Sequence, residues 1–226
     1  MSAPATAAAY LLDLPGATPY GEGLDLMANL AGARSQGAIP DTLILLEHEP
    51  VVTLGTRTDI AAEIPHPGML EQRGIPIVEV ARGGRATYHG PGQLVGYPIF
   101  DLSAHGRDLR RYVEALETAL IATLAAFDVT GEVREGEEHT GVWVGDRKIA
   151  SIGVHVASWI TTHGFALNVD CDLEPFDLFV GCGLQHTRYT TLAAEAGRPI
   201  DRAAATAALL PALGAAFGYA WEEVPA

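Results

Sequence analysis

The chain has 226 residues, 48% hydrophobic and 19% charged, a globular composition that argues against disorder and is long enough to bury a core without metal or disulfide support. A formal charge of −14 and the lack of any basic tract disfavour nucleic acid as a partner. The cations are lopsided: 13 arginines and one lysine, Lys148.

The N-terminal segment "MSAPATAAAYLLDLPGATPY" has neither the basic start nor the sustained apolar stretch of a signal peptide. With only Cys171 and Cys182, and nothing that indicates secretion, the expectation is a cytoplasmic protein with reduced thiols. "AAYLLDL" (residues 8–14) reads as a strand and Tyr20 to Arg34 as a helix. "DTLILLEHEPVVTLG" reads as two strands around a turn at Pro50, and "IPIVEVAR" and "QLVGYPIFDL" as further strands, separated by "GGRATYHGPG". A helix begins near Arg107, where Leu109, Tyr112, Val113, Leu116, Leu120, Leu124 and Phe127 recur at helical spacing and predict a core-facing stripe.

"TGVWVGDRKIASIGVHVAS" follows as two strands joined at Gly145-Asp146, then "ITTHGFALNV" as another, "DLEPFDLFVGCGL" as an irregular segment, and two C-terminal helices. The uncharged run from Ala203 to Trp221 is rich in alanine, holds Pro211, Gly214 and Gly218, and reads as a packed helix rather than a membrane span. Several strands follow one another without a helix between them. The expected class is therefore α/β, with a mixed or largely antiparallel sheet packed with helices. No linker divides the chain, so residues 1–226 are read as one domain.

Four segments compete for chemistry. "RGGRATYHGPGQ" has glycines that admit close backbone approach, but no Gly-Lys-Ser/Thr ending and no GxGxxG opening a helix. Lys148 shares a strand face with Ala150, Ile152, Val154 and Val156, so the single lysine aims inward; its alternative is to snorkel from the strand end. An arginine is always charged and broad, whereas a lysine is compact and responds to burial by losing its proton or pairing with an anion. His163 lies on a strand, where a structural histidine is the plainer reading. Cys182 stands between Gly181 and Gly183 with little steric cover; a small buried cysteine in a turn is the alternative. Cys171, between Asp170 and Asp172, is expected to be a poor nucleophile. No H-x-x-x-H or C-x-x-C spacing suggests a metal, and neither metal nor cofactor is expected.

Taken in order, "RGGRATYHGPGQLVGYPI", "GDRKIASIGVHV…THGFALNV" and "GCGL" resemble the lipoyl(octanoyl)transferase family over residues 40–195. That resemblance implies a biotin/lipoate protein ligase-like fold and a single octanoyltransferase catalytic domain. It implies transfer of an octanoyl or lipoyl group from acyl carrier protein to a lysine of lipoyl domains, in 2-oxoacid dehydrogenase complexes and glycine cleavage H protein. It also implies a cysteine thioester intermediate without ATP, with Cys182 as nucleophile and Lys148 as the partner that lowers its pKa. The implied substrate-binding residues are Arg82, Gly83, Gly84, Arg85, Ala86, Thr87, Tyr88 and His89; then Ser151, Ile152 and Gly153; then His163, Gly164, Phe165 and Ala166. The family commonly has proline where this chain has Gly181. Rival readings are an ATP-dependent lipoate- or biotin-type ligase, a cysteine hydrolase with His89 or His163 as base, and a non-catalytic acyl-binding module. Docking of an acidic carrier would need a local arginine patch, for which Arg82, Arg85, Arg147 and Arg188 are the sequence candidates.

Overall fold

The computed structural model describes residues 7–181 and 187–224. Its strands are β1 (Ala7–Thr18), β2 (Thr42–His48), β3 (Val51–Leu54), β4 (Ile77–Glu79), β5 (Thr87–His89), β6 (Gln93–Ile99), β7 (Gly141–Val144), β8 (Arg147–Ala157), β9 (Ile160–Asn168), β10 (Arg188–Tyr189) and β11 (Tyr219–Glu223). Its helices are α1 (Tyr20–Ser35), α2 (Ile60–Glu63), α3 (Pro67–Gln72), α4 (Leu109–Ala125), α5 (Leu192–Ala196) and α6 (Arg202–Phe217).

The larger sheet runs β10-β8-β9-β6-β2-β1-β11, with β7 also on β8. It is mixed: β1 pairs parallel with β2 and β11, β10 parallel with β8, and β2–β6, β6–β9, β8–β9 and β7–β8 are antiparallel. In β2 the uninterrupted apolar run "LILL" must be covered on both faces, and the pleat divides it. Leu43 and Leu45 join Leu116, Leu120 and Leu124 of α4 and Leu209 and Leu213 of α6. Ile44 and Leu46 face the other way, with Val95, Tyr97 and Met27 of α1.

The two strands expected around Pro50 are present but part company, because β3 leaves for a second sheet of order β4-β3-β5. That sheet carries its own core of Val52, Leu54, Leu70, Tyr88, Phe176 and Phe179. Only Ile77–Glu79 of "IPIVEVAR" is paired, and β5 lies inside the glycine-rich segment. β11 follows the last helix and closes the sheet edge beside β1, which the reading of two terminal helices misses. Asp108 caps α4, its side chain accepting from the Arg111 N–H. Most of the predicted stripe is core; Val113 packs against that core and also lines a cavity, and Leu109 lines the cavity only. Pro211 sits inside α6, and among the described residues no helix is long and apolar enough to cross a membrane.

Candidate active site

A cavity of about 320 Å³ opens between the two sheets. Its walls are the segment from Arg82 to His89, the first half of β8, the middle of β9, Tyr20 of α1, Tyr97 of β6, and Leu109 and Val113 of α4. Arg82, Gly83, Gly84, Arg85, Ala86, Thr87, His89, Lys148, Ser151, Ile152, Gly153, His163, Gly164, Phe165 and Ala166 all line it. Tyr88 does not. Successive residues of β5 point to opposite sides, so Thr87 and His89 face the cavity while Tyr88 enters the second core, edge-on to Phe176 at 5.5 Å. Cys182 lies outside the described residues.

The glycine-rich wall is held by two buried charged groups. Arg82 is 6% exposed and donates from Nη2 to the Thr53 carbonyl (2.8 Å) and Oγ1 (2.7 Å), and from Nη1 to the Gly83 (3.1 Å) and Arg85 (2.9 Å) carbonyls. Glu63, 2% exposed, takes Arg85 Nη1 at 2.8 Å and the Ala86 N–H at 3.0 Å. The Gly83 N–H donates to the Val154 carbonyl at 2.9 Å, which fixes this wall against β8. Glycine is required at the approach: a Cβ on Gly55 would stand 2.4 Å from the Gly84 oxygen.

Lys148, at the start of β8, also lines the cavity and is 2% exposed, so the inward direction read from strand periodicity holds. It pairs across the hairpin with Trp143, and its Nζ lies 5.3 Å from the centroid of that ring. Glu117 of α4 accepts from the Gly141 N–H at 3.3 Å; burial raises its pKa, and the Lys148 charge opposes that rise. Both sides of the Cys182 segment are tied to cavity-wall elements. The Val180 N–H donates to the Glu63 carbonyl (2.8 Å) and the Thr190 N–H to the Lys148 carbonyl (3.1 Å). At Gly181 a Cβ would fall 2.1 Å from the Tyr189 hydroxyl oxygen, so this glycine gives space to a tyrosine that is stacked on Phe176 with centroids 3.8 Å apart.

Three buried imidazoles cluster at the cavity: His89 and His163 line it, and the His48 ring lies 5.8 Å from that of His89. The Nδ1–H of His48 donates to the Thr18 carbonyl (3.0 Å), which leaves Nε2 to accept from the Tyr97 hydroxyl (2.6 Å). Gln93 spends its amide nitrogen on Tyr88 and Asn168, so its Oε1 accepts from His89 Nδ1 at 2.8 Å. Burial lowers the pKa of His48 to about 4 and that of His163 to about 4, the latter helped by Arg82. His89 is pushed well below its ordinary value by burial, then by His48 and Arg82. His163 also holds a left-handed φ of +56°, uncommon for a residue with a side chain.

The other thiol is disqualified as a nucleophile. Cys171 is buried and free, and burial, with lesser help from Asp172 and Asp170, lifts its pKa to about 12. Three of the four arginines picked for carrier docking are bound to carboxylates: Arg85 to Glu63, Arg147 to Glu195 at 2.8 Å and Arg188 to Asp146 at 3.2 Å. Arg82 is internal and cannot belong to a surface patch, and the other three meet a carrier only by exchanging those pairs. Glu63, Glu117, Trp143, Tyr20, Tyr97 and His48 were not picked out in the sequence. Only Trp143 had a signal there, as the residue facing Lys148 across a predicted hairpin.

The description "lipoyl protein ligase A/B catalytic domain" belongs to the family that matches residues 19–214. An octanoyltransferase of Chloroflexus aurantiacus is 46% identical over 205 residues, covering 89% of this chain and 91% of that protein. One of Solibacter usitatus is 48% identical over 169 residues, covering 75% and 76% respectively. Among solved structures, a lipoate protein ligase of T. acidophilum with bound lipoic acid, itself assigned by inference, superposes with a TM-score of 0.76. At 17% identity over 97% of this chain and 89% of that one, the likeness is one of fold.

Proposed function

Because this chain belongs to the lipoyl protein ligase A/B catalytic domain family, among its octanoyltransferases, we propose that it acylates lipoyl domains through a thioester on Cys182. It is an acyltransferase with the mixed-sheet fold of the lipoate ligases. On this reading the donor is octanoyl-acyl carrier protein, and the acceptor is a lysine on lipoyl domains of 2-oxoacid dehydrogenase complexes or on glycine cleavage H protein. Residues 1–226 act as one cytoplasmic catalytic unit that needs no cofactor.

The observation that carries the reading is the burial of the only lysine in the cavity wall, against the Trp143 ring and within the electrostatic reach of Glu117; the thiolate assigned to Cys182 would be a further anion for it. A thiol of pKa near ~8.5 is mostly protonated at neutral pH, and an ammonium beside it favours the thiolate. The thiolate attacks the carrier thioester carbonyl; the C–S bond to the carrier breaks and the octanoyl group moves to Cys182. The carrier thiolate leaves with a proton from the Lys148 ammonium. The neutral lysine then takes the proton that the acceptor amine loses as it attacks the acyl-enzyme, and thiolate and ammonium are both restored. The apolar half of the cavity, with Leu109, Val113, Ile152 and Phe165, suits the acyl chain.

The depressed imidazoles argue against a Cys/His hydrolase. A histidine that resists protonation is a poor partner for a thiolate, and His89 and His163 both resist it. The ligase alternative shares the fold and is separated by its need for ATP. The test is acceptor octanoylation from octanoyl-acyl carrier protein with no nucleotide present. Modification of the lipoyl domain supports the transferase; modification only with free octanoate and ATP overturns it.

A further inference from the structure

Resting on that donor reading, we infer that the acyl carrier is docked by Arg107 and Arg111, at the surface turn leading into α4. The chain as a whole is strongly acidic, so an acidic partner is met best where arginine charge is not already paired. Arg85, Arg147 and Arg188 are spent on carboxylates and Arg82 on internal carbonyls. Arg107 and Arg111 are exposed, and among the described residues neither holds an ion pair. Arg110 lies beside them and is bound only to the exposed Glu114, a pairing that costs little to exchange.

The surface around them is built for contact. Arg107 stacks over the Trp159 ring, with its guanidinium carbon 5.8 Å from the centroid. Trp159 is 37% exposed and Leu109 is 44% exposed, two large apolar side chains left in solvent beside free cations. Ser158, Trp159 and Arg107 all adopt left-handed φ values of +51°, +68° and +54°, although none is glycine. Ser158 and Trp159 do so as the two-residue turn of the β8–β9 hairpin, and Leu102 ties that turn to Arg107, donating to the Trp159 carbonyl at 2.8 Å and accepting from the Arg107 N–H at 2.9 Å. Leu109 joins this surface to the acyl cavity, whose wall it forms. An acidic protein seated on the arginines would therefore hold its tethered acyl group at the cavity.

The test is the double charge reversal Arg107→Glu/Arg111→Glu, assayed with three substrates: octanoyl-acyl carrier protein, octanoyl-pantetheine and the lipoyl domain. The expected result is a KM for the carrier raised about tenfold with kcat retained, and a flatter salt dependence of kcat/KM, as for lost electrostatic steering. KM for octanoyl-pantetheine stays unchanged, which also shows that the variant is folded. An unchanged carrier KM overturns the inference, and so does a rise confined to the lipoyl domain, which would give the surface to the acceptor. If the unsubstituted protein refuses the carrier thioester altogether, the donor reading itself has failed.

Discussion

The Lys148 ammonium sits against the face of Trp143, its partner across the β7–β8 hairpin. Trp143 is itself fixed, 2% exposed, with Nε1 donating to the His139 carbonyl at 2.8 Å. The lysine stem is thereby aimed at the cavity by two strands and one rigid ring. A buried cation is costly unless anions compensate it. Glu117 supplies one, and the thiolate of Cys182 is the second in the proposed chemistry.

Lys148→Ala is expected to lower turnover by about 10²–10⁴-fold, as for loss of a positioned proton donor and acceptor. The Cys182 thiol should then titrate near its ordinary value, ~8.5, read from the pH dependence of iodoacetamide labelling. Lys148→Arg should not rescue, because a planar fork does not fit beside Gly141, where even a Cβ would come within 3.0 Å of Lys148 Cε. Full activity in either variant contradicts the assigned role.

Gly141→Ala tests the same wall without changing a charge. Its φ is +131°, and an added Cβ would lie 2.3 Å from the Ala150 carbonyl oxygen, so the hairpin must shift. A loss of about 1–3 kcal/mol in denaturant unfolding is expected, together with reduced acylation.

Arg82→Ala removes the donors that tie the glycine-rich wall to β3. Four carbonyl or hydroxyl partners lose their bonds in the interior, and a cost of about 2–4 kcal/mol follows. Because Arg82 lines the cavity, KM for octanoyl-pantetheine should rise as well. A variant of unchanged melting temperature and KM would contradict this account of the wall.

The histidine cluster predicts acid sensitivity. His48 and His163 have folded pKa values near 4 against an ordinary 6.5. The stability they contribute is therefore complete above pH 6.5 and is lost as pH falls towards 4, where the unfolded chain binds protons that the folded chain refuses. His48 alone should account for about 3 kcal/mol by pH 4. Melting temperature measured from pH 8 to pH 4 should drop steeply below 6.5, and His48→Gln should flatten the slope.

What the sequence revealed and what it hid have physical reasons. Long periodic elements such as α1, α4 and the β7–β8 hairpin were legible because turn residues and apolar spacing are local signals. The second sheet was not, because β5 has three residues and takes its partner from β3, across two short helices and β4. Without β5 recognised, Tyr88 could not be assigned away from the cavity. The lysine and glycine segments announced themselves by unusual residue choice. Glu63, Glu117 and His48 are single polar residues delivered from distant elements, which no local pattern marks. Non-local pairing also hid the partners of the docking arginines: Glu63 is 22 residues from Arg85 and Glu195 is 48 from Arg147.

The most direct measurement of the Cys182 thioester is intact-mass spectrometry after mixing with octanoyl-acyl carrier protein and no ATP, followed by hydroxylamine. The expected result is a one-octanoyl adduct that hydroxylamine removes, that a lipoyl domain discharges, and that Cys182→Ser and Lys148→Ala both prevent. An active enzyme that shows no adduct, or an adduct that survives in Cys182→Ser, would contradict it.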